Sequence, residues 1–286
     1  MASIPSAADK EKLSITDFRA GNHEIEIEKM TDKILPDVAA KRRVIAVLTE
    51  NEIEGLYDDD PSELLHAPQV HLLNYDEAIN EPSHHPRLQS LEQRGLLEPG
   101  NVLIQNPYSP DEYCLHSDAL NQFSLKKHFH MSGLCRLLGA TSVAVTQVEV
   151  ESEKSTVTAN VESGGVSASG EVSLERRLAE KLSKEMQLTD KFSGGPPDVG
   201  AAREYLERHR LLSDPTMQSL VEIMEGGGNK IYERQLTFNA SSEANKNLAI
   251  CGKLELSKVG SLNVAFGSES TKTMDIKLTM KVTFPK

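Results

Sequence analysis

Alternation of apolar and polar residues is strongest near the end of the chain, at residues 273–284. One face of this segment carries six apolar side chains, namely Met274, Ile276, Leu278, Met280, Val282 and Phe284. The other face carries Thr, Asp and Lys. A period of two residues is typical of a β-strand with one buried face. Residues 273–284 are therefore predicted to form the clearest strand of the protein.

Alternation also marks a bulged strand and a hairpin in the middle of the chain. Residues 142–150 alternate with a break in phase at Gln147, which indicates a β-bulge. Residues 156–161 and 166–172 alternate again, and the glycines of the turn between them favour a hairpin because glycine accepts positive φ. Further strands are predicted at 231–239, 248–256 and 262–267.

Helical spacing of apolar residues predicts three helices between these strands, at about residues 174–188, 199–210 and 215–225. Asp198 and Asp214 precede the second and third helices, and aspartate is a good N-terminal cap. Pro215 stands at the first position of the third helix and Gly226 follows its end. The boundaries of this third helix are therefore the best defined in the sequence.

The first half of the chain mixes both patterns. The continuous apolar run at residues 44–48 predicts a buried strand. A long helix is predicted after Ser117, taken as its cap, and Gly139 is placed to end it. The other predicted elements are strands around residues 25–27 and at 70–75, 102–105 and 112–115, a brief helix at 62–65 and a helix at 87–94.

These patterns together predict an α+β fold. A mixed N-terminal half is followed by a mostly antiparallel β-sheet region with about three inserted helices. The predicted divisions are a disordered tail at residues 1–13, an acidic mixed α/β domain at 14–140 and a β-rich domain at 141–286.

Charge and composition narrow the functional classes. The chain has 286 residues and a formal net charge of −12, and residues 1–140 carry 13 basic and 23 acidic side chains. A nucleic-acid partner is not expected, because phosphate binding requires a basic face. The basic clusters at residues 41–43 and 126–127 are interpreted as solvated edges. No long apolar segment predicts secretion or constitutive membrane insertion, so a cytoplasmic protein is expected.

Three cysteines are present, Cys114, Cys135 and Cys251, and none belongs to a C-x-x-C pair. This favours buried, reduced thiols over a disulfide framework or a zinc site. Cys114, His116 and Asp118 follow one another at every second position, so a thiolate nucleophile beside a histidine is one hypothesis. Adjacency on a strand is not how a Cys–His pair usually meets, and no catalytic residue is predicted.

The residues that could bind a metal ion are interpreted as surface, loop or turn residues. His128 and His130 would point apart on a helix, since two residues turn it by about 200°, and both are interpreted as surface residues. His84 and His85 lie in a proline-bounded loop, and Asp58 to Asp60 are interpreted as a turn. Neither a metal nor a cofactor is predicted.

Common catalytic motifs are missing from the sequence, including G-x-S-x-G, H-E-x-x-H, the Walker loop and G-x-G-x-x-G. The glycine-rich segment 226–230 is interpreted as a linker, because a helix precedes it where a phosphate loop requires a strand. The enzyme class is therefore disfavoured, although a site assembled from distant residues stays open.

The leading functional hypothesis is a non-enzymatic binding or assembly protein that acts through protein contacts or self-association of its β-rich half. The alternative is a soluble, membrane-active effector whose amphipathic strands, the hairpin at 156–172 and the strand at 273–284, insert into lipid after activation. The second alternative is an enzyme whose site is not visible as a motif. The unknown partner is predicted to be another protein or a second copy of the chain.

Overall fold

The computed structural model describes residues 34–58, 66–80, 86–153, 155–169, 173–187, 189–226, 231–253, 262 and 273–286. The strands are β1 (Val44–Leu48), β2 (Val70–Asn74), β3 (Val102–Asn106), β4 (Ser109–Leu115), β5 (Ser142–Glu151), β6 (Thr156–Asn160), β7 (Val166–Ser169), β8 (Asp190–Lys191), β9 (Glu233–Asn239) and β10 (Asp275–Thr283). The α-helices are α1 (Glu50–Asp58), α2 (Tyr75–Asn80), α3 (Pro86–Gln93), α4 (Ala119–Leu137), α5 (Ser173–Glu185), α6 (Val199–Arg208), α7 (Pro215–Glu225) and α8 (Ser242–Lys253). The predicted α+β class is confirmed.

The first sheet has four strands in the order β2-β1-β3-β4, and β1 pairs in parallel with β2 and antiparallel with β3. All five residues of β1 are buried. Val44, Ala46 and Leu48 face one hydrophobic cluster, whereas Ile45 and Val47 face another. Both faces of this strand are covered, which explains why its sequence is continuously apolar instead of alternating.

The second sheet has six strands in the order β7-β6-β5-β10-β9, with β8 paired to the start of β5. Its centre is the long antiparallel ladder between β5 and β10. The apolar face of β10 is buried, as the alternation predicted. Gln147 pairs with Thr279 and Val145 with Met280, which leaves Thr146 as an extra residue and confirms the bulge.

The predicted N-terminal caps of two helices and the predicted glycine after α4 are also confirmed. The side chains of Asp198 and Asp214 accept backbone N–H groups in the first turns of α6 and α7. Gly139 follows α4 with a φ of +84°, and a Cβ there would clash with the carbonyl oxygen of Gly195. Glycine is required at this position for its backbone conformation and for the close approach of a neighbouring chain segment.

One hydrophobic cluster contains buried side chains from both sheets and from α4, α6, α7 and α8. Helix α8 lies against the first sheet, where the Asn247 side-chain amide donates to the carbonyl oxygen of Gln105 at 2.9 Å. The described residues on either side of position 140 therefore share a core. The division into two domains, as units that fold independently, stays a prediction.

Two predictions of local structure were wrong. Residues 248–253 belong to helix α8 instead of a strand, and the buried residues Ala244, Leu248 and Cys251 follow helical spacing. Ser117 does not cap the long helix, because a 3-10 turn at His116–Asp118 precedes it and no side-chain cap bond forms.

Helices α1 and α2 were not predicted, and α2 begins at Tyr75, which was assigned to the preceding strand. Several predictions lie outside the described residues: the 1–13 tail, the strand near 25–27, the helix at 62–65, most of the strand at 262–267, the linker at 227–230, and the side chains of His84, His85, Asp58, Asp59 and Asp60.

Candidate functional site

Cys114, at the end of β4, and His116, in the following 3-10 turn, are both buried. Burial raises the pKa of the Cys114 thiol to about 12, and the negative charge of Asp118 acts in the same direction. Burial lowers the pKa of His116 to about 4. Near pH 7 both groups are therefore neutral, and a neutral thiol is not the reactive form of cysteine. Cys135 and Cys251 are likewise buried free thiols.

His128 and His130 lie on α4, and both are only 5% exposed. Their interpretation as surface residues was wrong. His130 Nδ1 lies 2.9 Å from the Tyr205 hydroxyl oxygen, and the His130 ring centroid lies 4.6 Å from that of His209. Tyr108 contacts the same ring edge-on, at 5.5 Å between centroids. Helix α6 thus closes over this part of α4 and removes the histidine from water.

Buried neutral histidines make stability depend on pH. Burial lowers the pKa of both His116 and His130 from 6.5 to about 4; His209 and Lys126 further lower that of His130, and Glu112 opposes the shift. The unfolded chain binds more protons between these two values, so stability is present above pH 6.5 and is lost as the pH falls toward 4. Each histidine is expected to lower the free energy of unfolding by about 2 kcal/mol when the pH falls from about 7 to about 5.

Urea unfolding at several pH values measures this dependence. His116→Gln removes one of the two groups and should flatten the fall in stability between those pH values. A variant whose stability falls as steeply as that of the wild type would show that His116 does not contribute.

Each of the two basic clusters contains one buried residue. Arg42 is 1% exposed and Lys127 is 4% exposed, so the interpretation of these two residues as solvated was wrong. Arg42 pairs with Asp111 at 2.7 Å, and Lys127 pairs with Asp214 at 2.7 Å. Each cation is held inside the protein by a carboxylate that is distant in the sequence.

Among the described strands, β7 and β9 stand at the two ends of the six-stranded sheet, and β8 pairs only with the start of β5. Strand β9 contains charged side chains, Glu233 and Arg234, and the carbonyl oxygen of Asn239 at its end accepts a hydrogen bond from Lys127 at 2.7 Å. Charged residues and covering contacts are common protections of a sheet edge. Strand β7 consists of Val166, Ser167, Ala168 and Ser169, and it has no charged residue.

The hydrogen bonds between β6 and β7 show which backbone N–H and C=O groups of β7 point away from the sheet. The Asn160 amide donates to the carbonyl oxygen of Gly165 at 2.8 Å, and the register pairs Thr158 with Ser167. Because backbone groups alternate between the two sides of a strand, the N–H and C=O groups of Val166 and Ala168 point away from β6. No described strand pairs with this outer side, and Ala168 is exposed. Among the described strands, β7 is therefore an uncharged edge whose outer backbone groups have no partner strand.

Metal sites and membrane-spanning helices receive no support from the described residues. Within them, no group of three or more His, Cys, Asp or Glu side chains is arranged to hold a metal ion. None of the described helices combines the length and the apolar content needed to cross a membrane.

The structure is that of an α+β protein with a six-stranded sheet. At one end of this sheet, strand β7 has no charged side chain and no partner on its outer side among the described strands. Comparison with known proteins finds no family model, no curated protein and no solved structure that matches this chain.

Proposed function

We propose that this protein is a non-enzymatic assembly protein in which two copies pair through strand β7. The observation that carries the proposal is the exposed edge of Val166 to Ser169, whose outward backbone groups have no partner strand among the described residues. A row of unpaired backbone groups is a template for adding a strand. Three buried thiols further favour action in the reducing cytoplasm.

A second copy is a suitable partner because the edge of an antiparallel strand is complementary to itself about a two-fold axis. Each chain has a net charge of −12, so the contact must lie where it adds no further repulsion between close like charges. Strand β7 offers such a place, because its side chains are apolar or hydroxylic. Antiparallel pairing about a two-fold axis would bring β7 against β7 and join the two sheets into one.

Proline substitution tests this pairing selectively. Ala168→Pro removes an N–H group that points away from β6, so the internal ladder is retained while the outer edge loses a donor and gains a bulky ring. We expect the wild type to form a dimer as its concentration rises and Ala168→Pro to remain monomeric. Light scattering coupled to size-exclusion chromatography measures both masses.

Gln235→Pro on β9 is the matched control. The hydrogen bond from the Phe284 amide to the Tyr232 carbonyl oxygen shows which backbone groups of β9 face β10. Because these groups alternate along the strand, the Gln235 N–H points away from β10. This variant should form a dimer as the wild type does. A wild-type protein that stays monomeric at every concentration would refute the proposal, as would equal loss of the dimer in both variants.

A further inference from the structure

Helix α6 covers α4 through a small group of aromatic rings. His130 on α4 contacts Tyr205 on α6 and His209 at the end of that helix, and Tyr108 from the β3–β4 turn also contacts the His130 ring. The ring centroids of His130 and His209 lie 4.6 Å apart, and those of Tyr205 and His209 lie 4.5 Å apart. Two histidines from different elements are thus in direct ring contact at the interface between α4 and α6.

The His130 ring is hydrogen-bonded at one nitrogen only. Its Nδ1 atom lies 2.9 Å from the Tyr205 hydroxyl oxygen, whereas its Nε2 atom is buried and has no hydrogen-bond partner among the described residues. A protonated imidazole has a donor on both nitrogens. Inside the closed interface, a proton on this ring therefore adds a charged donor without an acceptor, and burying such a group is costly.

The charges around the two histidines also oppose protonation. Burial lowers the pKa of His130 to about 4, and His209 and Lys126 lower it further. Burial also lowers the pKa of His209, and Arg208 and Lys126 act in the same direction. Glu112 on β4 opposes the shift of His130, but its carboxylate already pairs with Lys126 at 3.5 Å. The surroundings therefore favour two neutral rings.

Tyr205 brings α6 into close contact with α4. Its hydroxyl lies against Gly133, where a Cβ would be 2.9 Å from the hydroxyl oxygen. The nearby charge that acts on this hydroxyl is the positive charge of Arg136. Helix α4 contains no aspartate or glutamate, and the glutamates of α6, Glu204 and Glu207, are exposed. Neither helix thus offers a buried carboxylate to a protonated histidine.

Helix α6 has few buried side chains apart from these rings. Two of its ten residues, Ala202 and Leu206, are buried, whereas eleven residues of α4 are buried. An element with few buried apolar side chains opens at a lower free energy than the whole protein unfolds. The protonation of the two rings can therefore decide whether α6 stays closed.

We infer that acidification opens the protein locally at the α4–α6 interface, because protons on His130 and His209 separate α6 from α4 while the two sheets stay folded. The opened state exposes Ala202, Leu206 and the side of α4 around His130 to water. Helix α6 is then an acid-sensitive cover of α4. This opening is separate from the pairing of β7 and does not depend on it.

Hydrogen exchange followed by mass spectrometry tests the inference on the full chain at about pH 7 and about pH 5, with rates corrected for the chemical effect of pH on exchange. We expect the protection of the α6 amides to fall by about 20-fold, because the exposed His130 ring binds a proton near its ordinary pKa of 6.5 and the closed ring only near 4. The amides of β10, in the middle of the second sheet, should stay better protected than those of α6 at both pH values.

His130→Asn removes the ring that dominates this effect. Asparagine keeps an amide near the position of Nδ1 and does not titrate in this range. The fall in α6 protection should shrink to about fivefold or less, with the remainder due to His209. His209→Gln, at a half-buried position, should reduce the fall without abolishing it, since one of the two rings remains.

His116→Gln is the matched control. His116 is also buried, and burial also lowers its pKa to about 4, but it lies in the 3-10 turn before α4, about three helical turns from His130. Its α6 amides should show the same fall in protection as those of the wild type.

Three outcomes would overturn the inference. The first is equal protection of the wild-type α6 amides at both pH values, and the second is an unchanged fall in His130→Asn. The third is a loss of protection in α6 and β10 together and at one rate, which would show global unfolding instead of a local opening. Because each variant is compared with itself at two pH values, a general loss of stability does not imitate the expected result.

Discussion

Lys127→Met is expected to lower the free energy of unfolding by about 3–5 kcal/mol. Lys127 is 4% exposed, and its Nζ atom lies 2.7 Å from both Asp214 Oδ2 and the carbonyl oxygen of Asn239. Methionine has a similar length, so the packing is largely retained. The loss arises because the Asp214 carboxylate, whose side chain is 10% exposed, is left without its cation.

Lys126→Met provides the control at the neighbouring position. The Lys126 side chain is 37% exposed, and its Nζ atom lies 3.5 Å from Glu112. A surface pair of this kind contributes about 1 kcal/mol or less. Urea unfolding followed by circular dichroism measures both variants, and equal effects would contradict the special role of Lys127.

A second substitution separates the unpaired charge from lost packing. Asp214→Asn in the Lys127→Met background removes the isolated carboxylate and keeps an amide oxygen that can cap α7. We expect this double variant to regain part of the lost stability. A double variant that is less stable than Lys127→Met would show that the unpaired carboxylate is not the source of the loss.

Arg42→Met is expected to lower the free energy of unfolding by about 2–3 kcal/mol, less than Lys127→Met, because the Asp111 side chain is 59% exposed and keeps its contact with Arg87. The Arg42 guanidinium donates to the carbonyl oxygens of Pro36 and Pro110 at 2.8 Å each, to Asp111 Oδ1 at 2.7 Å and to the Tyr113 hydroxyl. Its removal takes one charged donor from each of these acceptors and weakens the link between the 3-10 turn at Ala39–Arg42 and the start of β4. Gln105 still donates to the Pro110 carbonyl oxygen and to the Tyr113 hydroxyl, which limits the loss.

Arg87→Met is the matched control for this variant. Arg87 also pairs with Asp111 Oδ1 at 2.7 Å, yet its side chain is 30% exposed. Its loss should cost about 1 kcal/mol or less, because water can replace the contact. The same unfolding measurement compares the two, and a larger effect for Arg87 would show that burial does not set the cost.

Local patterns predicted the second half of the fold well. The strict alternation of β10 predicted a strand and excluded a helix, since its apolar side chains fall on a single face at a period of two residues. Asp214, Pro215 and Gly226 marked the ends of α7, because each residue type suits its position by its own backbone chemistry. Gly164, with a φ of +68°, marked the hairpin turn for the same reason.

The error at α8 has a physical cause. Leu248 and Cys251 fit the helical spacing that the structure uses, but the apolar residues of 248–256 also fit a strand. A short apolar segment does not distinguish these states by periodicity alone. Burial of Ala244, Leu248 and Cys251 against the shared core decides in favour of the helix.

The contacts of the buried cations could not be predicted from neighbouring residues. Arg42 and its ion-pair partner Asp111 are 69 positions apart, and Lys127 donates to the backbone carbonyl oxygen of Asn239, which is 112 positions away. A charged residue is expected at the surface unless a partner is known, because burying an unpaired charge is costly.

The sequence by itself determined the α+β class, the alternating strands and the boundaries of α3, α6 and α7, because these depend on side chains within a few positions of one another. Only the tertiary structure decided that β7 has no partner on its outer side among the described strands. It also decided that Arg42, Lys127, His128 and His130 are buried. Strand order and burial depend on contacts between distant segments, and a local pattern of residues contains no record of which distant segment will cover it.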